Sequence, residues 1–137
     1  MKNPYWRIVD ANYNRTKEAL RVCEDFSRFF LNNRSLTSQF KTCRHRLTKL
    51  LLRFPTPLYR IVATRNVKGD VGRKGRRMQD RPRPGWRDIF MANLKRGQEA
   101  VRVIEELSKI LAPRQAVEFE RLRFRLYELE KKSLRKF

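Results

Sequence analysis

The sequence predicts an all-α protein, a four-helix bundle built from two pseudo-twofold-related helical hairpins with a long basic Gly/Pro-containing loop between them. Three observations carry this. Asp10 to Leu31 is matched by Met91 to Ala112: Asn12 falls on Asn93, Arg15 on Arg96, Glu18 on Glu99, Ala19 on Ala100, Arg21 on Arg102 and Glu24 on Glu105. Phe40 to Leu47 is matched in turn by Phe119 to Leu126, which sets Arg44 and Arg46 on Arg123 and Arg125. Apolar residues recur through both copies at the three-and-four spacing of a packed helix. Two helix-plus-helix copies are too few for a solenoid and suggest one closed unit. A single domain would cover 1–137, with repeat halves 4–54 and 85–132 and a connecting loop 55–84.

The first helix starts at Asn3-Pro4, a capping residue followed by a proline whose missing N–H costs nothing there. It runs to about Leu31 and ends at Asn32-Asn33. Its seam reads Ile8, Asn12, Arg15, Ala19, Val22, Phe26 and Phe29; copy two reads Ile89, Asn93, Arg96, Ala100, Val103, Leu107 and Ile110. An asparagine and an arginine thus fall on the core-facing line of each copy. A buried guanidinium is costly without an anion, so either protein carboxylates or a bound ligand must answer it. A second helix, capped by Ser35 or Thr37, reaches about Phe54 with Leu36, Phe40, Cys43, Leu47, Leu50 and Phe54 inward, and Pro55 and Pro57 stop it. Leu58 to Ala63 alternates weakly and predicts a short extended segment. The basic stretch that follows holds four of the five glycines. A connection of this length is functional or disordered; Gly69, Gly72 and Gly75 would let backbone amides approach a phosphate, or simply leave the loop flexible. No Walker A pattern occurs. A third helix spans Trp86 or Arg87 to Leu111, and a fourth starts at Pro113 and reaches about Lys132, with Val117, Phe119, Leu122, Leu126 and Leu129 apolar.

The balance of 34 basic to 14 acidic residues gives a net charge of +20, which predicts attraction to polyanions generally: nucleic acid, phosphorylated metabolites or an acidic membrane. No apolar run is long enough for a transmembrane helix, the start lacks the apolar core of a secretory signal, and Cys23 and Cys43 fall on core faces as free thiols. Together these suit a cytoplasmic protein.

The polar candidates divide into three groups. Arg21 with Glu18, Glu24 and Asp25, and Arg102 with Glu99, Glu105 and Glu106, have the spacing of ion pairs along one helix, so Glu18, Arg21, Glu99 and Arg102 read as structural ion pairs. Arg15 and Arg96, with Asn12 and Asn93, are candidates for an anion site or for a structural network; Arg44 and Arg123 either turn into the same site or stay on the surface. Asp10, whose mate is Met91, and Asp70 are the carboxylates available as a base or a Mg²⁺ ligand. His45, opposite Phe124, reads as a packed or half-buried ring.

The patterns I-V-D-A-N-x-N-R-x-x-E-A-L-R-V-x-E-D at Ile8 to Asp25, R-H-R-L at Arg44 to Leu47, G-D-V-G at Gly69 to Gly72, and A-N-x-K-R-x-Q-E-A-x-R-V-x-E-E at Ala92 to Glu106 resemble the small helical hydroxymethylpyrimidine-phosphate kinase-like domain found ahead of thiamine-phosphate synthase. The resemblance spans nearly the whole chain. It implies transfer of the γ-phosphoryl group of ATP, a co-substrate, to hydroxymethylpyrimidine phosphate, usually with Mg²⁺. Arg15, Arg96, Arg44 and Arg123 would then bind phosphates, Asn12 and Asn93 would orient them, and Asp10 or Asp70 would hold the metal. This chain departs from the family pattern in two ways: it carries no synthase barrel, so it would act alone or meet the synthase in trans, and Arg73 to Arg83 is unusually basic. Two other readings stand beside the kinase: a non-catalytic partner of the synthase, and a basic nucleic-acid-binding module acting through counterion release.

Overall fold

The computed structural model describes residues 3–73 and 82–137, so most of the basic segment, Gly75 included, lies outside the described residues. The described residues form five helices and no strand: α1 (Pro4–Phe29), α2 (Arg34–Leu51), α3 (Leu58–Ala63), α4 (Trp86–Leu111) and α5 (Pro113–Leu134). α1 packs on α4 and on α2, and α5 packs on the other side of both. The four long helices therefore close a ring around one core, and short α3 leans on α1. None of these helices is long and apolar enough to cross a membrane.

The ends of the helices follow local chemistry. Asn3 Oδ1 accepts the Tyr5 N–H at 3.0 Å and Pro4 opens α1. Asn32 turns the chain with φ 48°, a left-handed backbone that asparagine tolerates, and the Asn33 N–H closes onto the Ser27 carbonyl at 2.9 Å. Asn33 then caps α2 by accepting the Leu36 N–H, a role expected of Ser35 or Thr37. Leu58 to Ala63 is helical, where alternation suggested extended chain. Pro57 opens it, and the spacing of Leu58 and Ile61, one turn apart, prevails because Ile61 alone reaches the core and is fully buried.

The inward face of α2 is as expected, with Leu36, Phe40, Cys43, Leu47, Leu50 and Phe54 all buried. On α5 Phe119, Leu122, Leu126 and Leu129 are buried, but Val117 lies outside. The expected seam of the first and third helices is displaced by about one position. In α1 the core line is Trp6, Val9, Tyr13, Thr16, Leu20, Cys23 and Ser27; in α4 it is Phe90, Leu94, Gly97, Val101, Ile104 and Ser108. Ile8, Phe29, Val103 and Ile110 are exposed instead. The reason is the crossing of α1 on α4, which is closed by small residues. A methyl group built on Gly97 would touch Ala19 Cβ at 3.6 Å, so the helix backbones pass near one another and the flanking line is pushed to the lip of a groove. Phe40 meets Phe90 edge-on at 5.7 Å and Phe54 stacks on Phe119 at 5.8 Å, each fully buried ring contributing about 2–3 kcal/mol of apolar transfer.

Candidate functional site

Two equivalent ion pairs stand in the two halves, one between α1 and α2 and one between α4 and α5. Arg44 on α2 donates to both oxygens of Glu24 on α1, at 2.9 and 3.4 Å. Arg123 on α5 donates to both oxygens of Glu105 on α4, at 3.1 and 3.3 Å. The four side chains are between 5% and 14% exposed, and the hydrogen bond to Glu105, with a second from Arg123 to Tyr127, holds the Arg123 guanidinium charged above even the usual arginine range. Outside each pair stands an exposed arginine: Arg21 beside Glu24 and Asp25, Arg102 beside Glu105 and Glu106. Arg21 and Arg102 are thus the solvated intrahelical partners expected, but Glu18 and Glu99 make no ion pair among the described residues. Arg44 and Arg123 turn inward, yet they meet protein carboxylates there. Spacing alone pairs Glu24 and Glu105 only within their own helices; their repetition in step with Arg44 and Arg123 is the signal that they bridge helices.

A second corner is built around Asp10, whose mate in the second half is Met91. Asp10 is 5% exposed and receives the Arg65 guanidinium through both oxygens, at 2.7 and 2.8 Å. That hydrogen-bonded carboxylate raises the Arg65 pKa. Arg65 follows directly on the α3 cap, so the short helix is what delivers it. Asp10, Arg7, Asn14, Glu18, Arg65 and Asp70 line a cavity of about 370 Å³. Asp70 itself is exposed and accepts the Gly72 N–H through Oδ1 at 2.8 Å. The two aspartates singled out by sequence therefore do share one cavity, in different states. Asp10 is saturated by a guanidinium, whereas Asp70 keeps an oxygen with no protein partner among the described residues.

The Asn–Arg line borders a groove between α1 and α4. Asn12, Arg15, Arg96, Glu99, Ala100 and Val103 line an open space of about 290 Å³. The expectation of two buried guanidinium groups is corrected here: Arg15 is half-buried and Arg96 exposed, because the small-residue crossing leaves their line at the lip of the interface. Arg15 Nη1 donates to Asn12 Oδ1 at 3.4 Å, and no ion pair occupies Arg96 among the described residues. Asn12 and Asn93 spend their amide N–H groups on the Ile8 and Ile89 carbonyls one turn back, at 2.9 and 2.8 Å. Each is thereby held in place, and Asn12 offers its oxygen to Arg15. The groove and the Asp10 cavity flank one strip of α1, since Ala11, Arg15 and Glu18 are neighbours on the helix surface.

Other candidates resolve simply. His45 is exposed, not packed, because it points away from the α2 core face into the space beside Arg46, Lys49 and Arg53. Cys23 and Cys43 are buried free thiols, pushed by burial up to about 12 and about 11. Among the described residues no three His, Cys, Asp or Glu side chains cluster as a metal cage. Mg²⁺ needs only one or two carboxylates when substrate phosphates supply the rest, and of the two candidates only Asp70, with a spare oxygen, fits that requirement.

The ThiD2 family matches residues 7–132. Thiamine-phosphate synthase of Nostoc punctiforme is 38% identical over 125 residues, 91% of this chain and 34% of that protein. Thiamine-phosphate synthase of Synechocystis sp. is 38% identical over 124 residues, 90% of this chain and 34% of that one. The corresponding protein of Rhodopirellula baltica is 35% identical over 121 residues, with 88% and 32% covered. The chain thus spans about a third of the length of these relatives. No solved structure matches. With nearly its whole length matched, the chain belongs to the ThiD2 family.

Proposed function

We propose that this domain serves thiamine biosynthesis by moving the γ-phosphoryl group of ATP onto hydroxymethylpyrimidine phosphate, giving the diphosphate and ADP. The observation that carries the reading is the meeting of Arg15 and Arg96, repeat mates from α1 and α4, at one groove beside the Asp10–Arg65 cavity. Phosphoryl transfer asks a protein mainly for cations around a phosphate chain and for in-line placement. In this reading Arg15 and Arg96 take the phosphates of the two substrates, and Asn12, fixed by its own helix, aims Arg15. An oxygen of the acceptor phosphate attacks the γ-phosphorus, and the bond from that phosphorus to the bridging oxygen of ADP breaks. Because the acceptor phosphate is already ionised near neutral pH, no protein base is required. Asp10 acts as the anchor of Arg65, and Asp70 would hold Mg²⁺. When bound, that ion would offset charge on the phosphate oxygens. Arg44 and Arg123 leave the substrate-binding set, since Glu24 and Glu105 already satisfy them.

A coupled assay for ADP release, with and without the pyrimidine phosphate, tests the proposal. ADP release that saturates with the pyrimidine phosphate, and that Arg15→Met and Arg96→Met each lower by at least tenfold, roughly the worth of one charge-assisted hydrogen bond, is the expected result. Turnover indifferent to both substitutions would refute the site. A second reading, a non-catalytic partner of the synthase, draws on the threefold greater length of the relatives; it predicts a stable complex with that enzyme and no ADP release. Binding to nucleic acid, suggested by the charge of +20, would instead weaken steeply with salt and ignore the pyrimidine phosphate.

A further inference from the structure

The α2–α5 side of the ring, opposite the α1–α4 groove, carries a second depression that the proposed kinase site does not use. Its lining consists of repeat mates: Thr42 with Arg121, Cys43 with Leu122, and Arg46 with Arg125, around a space of about 260 Å³. It therefore sits where the pseudo-twofold axis leaves the molecule on this side. A wider recess of about 500 Å³ adjoins it through Thr42 and Arg46 and adds His45, Lys49, Leu50, Arg53 and the carboxylate of Glu118.

The symmetry of this depression fails at one position. Glu118 on α5 accepts from Arg46 and Arg121. Its mate on α2 is Gln39, whose Oε1 accepts from Arg125 at 2.8 Å and from Lys132 at 3.2 Å. Arg46 is thus met by a carboxylate, whereas its repeat mate Arg125 is met on this side by a neutral amide. Arg125 finds a carboxylate only outward, in Glu128, which is 62% exposed. Lys132 at the Gln39 end, and Lys49 and Arg53 in the recess, have no ion pair among the described residues, so positive charge exceeds the two carboxylates, Glu118 and Glu128, that answer Arg46 and Arg125.

We propose that this depression is an anion-binding site for a short polyphosphate chain, as in inorganic tripolyphosphate or the phosphates of a nucleoside triphosphate. A compact chain fits better than a nucleic-acid strand, because the cations converge on two joined hollows instead of following one outer ridge. The Gln39 end takes one phosphate between Arg125 and Lys132, and the chain runs past the solvent-exposed Arg46–Glu118 pair, 45% and 24% exposed, toward Lys49 and Arg53. Selectivity for a chain over orthophosphate follows from the spread of the cations across both hollows.

Calorimetric titration of the whole chain with tripolyphosphate tests this independently of the kinase reading. Wild-type protein should show saturable binding that survives Arg15→Met/Arg96→Met and is weakened at least tenfold by Arg46→Met/Arg125→Met, roughly one charge-assisted hydrogen bond or more. Gln39→Glu keeps the fold's own pattern of acceptors and installs the carboxylate found at position 118, so it should weaken binding similarly without lowering the melting temperature. Unsaturable uptake that merely tracks ionic strength would overturn the proposal, as would full affinity in Gln39→Glu. Displacement of tripolyphosphate by a short single-stranded oligonucleotide at equal phosphate concentration would overturn the choice of a compact ligand.

Discussion

Glu24 with Arg44 and Glu105 with Arg123 are one device built twice, whereas the corners around Asn14 and its mate Lys95 are built differently. In the first half Asn14 leans on Asp10, and the balancing charge comes from Arg65 in the connecting segment. In the second half Asp10 has become Met91, and Lys95 and Gln98 both reach Glu130 on α5 at 2.7 Å. The shared device holds helix to helix, which both halves need in order to stand. The divergent corner in one half is closed by Arg65, just beyond α3, and opens on a cavity; in the other it is closed by α4 and α5. Among the described residues, only the first half closes its corner with a side chain from outside the four long helices.

The comparison is broken most directly by removing the shared carboxylates. Glu24→Ala and Glu105→Ala each strand an arginine that is 12–14% exposed, and each should lower unfolding free energy by about 3 kcal/mol. Urea unfolding should find the two losses alike; a pronounced inequality would mean that the halves are not energetic equivalents. A smaller and lopsided effect is expected at the divergent corner. Arg65→Met leaves the 6%-exposed Asp10 carboxylate without its partner and should cost about 1–2 kcal/mol, limited by the solvent access of Arg65 itself. Lys95→Met should cost under about 0.5 kcal/mol, because that lysine is 54% exposed and Gln98 still serves Glu130.

The thiols sharpen the contrast at alkaline pH. Cys23 and Cys43 belong to the first half, where their mates are Ile104 and Leu122. Burial raises them to about 12 and about 11, so the folded state keeps them protonated while the unfolded chain ionises from about pH 8.5 upward. Their contribution is present below that pH and is lost as pH climbs toward the folded values, at about 1.4 kcal/mol per thiol for each unit above it. Cys23→Ala should start less stable, by the cavity it leaves, yet lose less between pH 8 and 10. A parallel decline in both proteins would place the alkaline sensitivity elsewhere.

Much of this was legible because duplication repeats whatever the fold needs. The inward face of α2, the approximate extents of the four long helices and the buried free cysteines follow from spacing and from proline and asparagine signals, although the α2 cap is Asn33 and α2 stops at Leu51. The seam of α1 and α4 was misplaced by one position for a physical reason. The true line contains Thr16, Ser27, Gly97 and Ser108, small or polar residues whose hydroxyls bond back to their own helix, as Thr16 does to the Asn12 carbonyl at 2.8 Å. The adjacent line, richer in repeated identities, looked more like a core. Helix α3 was hidden by its length, since six residues carry too few turns for periodicity to distinguish it from a strand. The Arg65–Asp10 pair had no local signal at all, because it joins residues 55 apart through a loop.

At the acid end the second half should show the sensitivity. Burial of Glu130 opposes its ionisation, but hydrogen bonds from Lys95 and Gln98, with the charge of Lys95, outweigh that and hold its pKa below the ordinary glutamate range. A lowered folded pKa means that the unfolded chain takes up a proton first as pH falls. The stabilisation is therefore complete above about pH 4.3, the unperturbed glutamate value, and disappears as pH drops through the lower folded one. The exposure of Lys95 keeps the effect under about 1 kcal/mol. Urea midpoints measured at pH 6 and pH 3 should fall less in Glu130→Gln than in the wild type, while Arg65→Met, altered in the other half, should leave that difference intact. An equal fall with and without Glu130 would assign the acid response to another carboxylate and remove the asymmetry between the two corners at low pH.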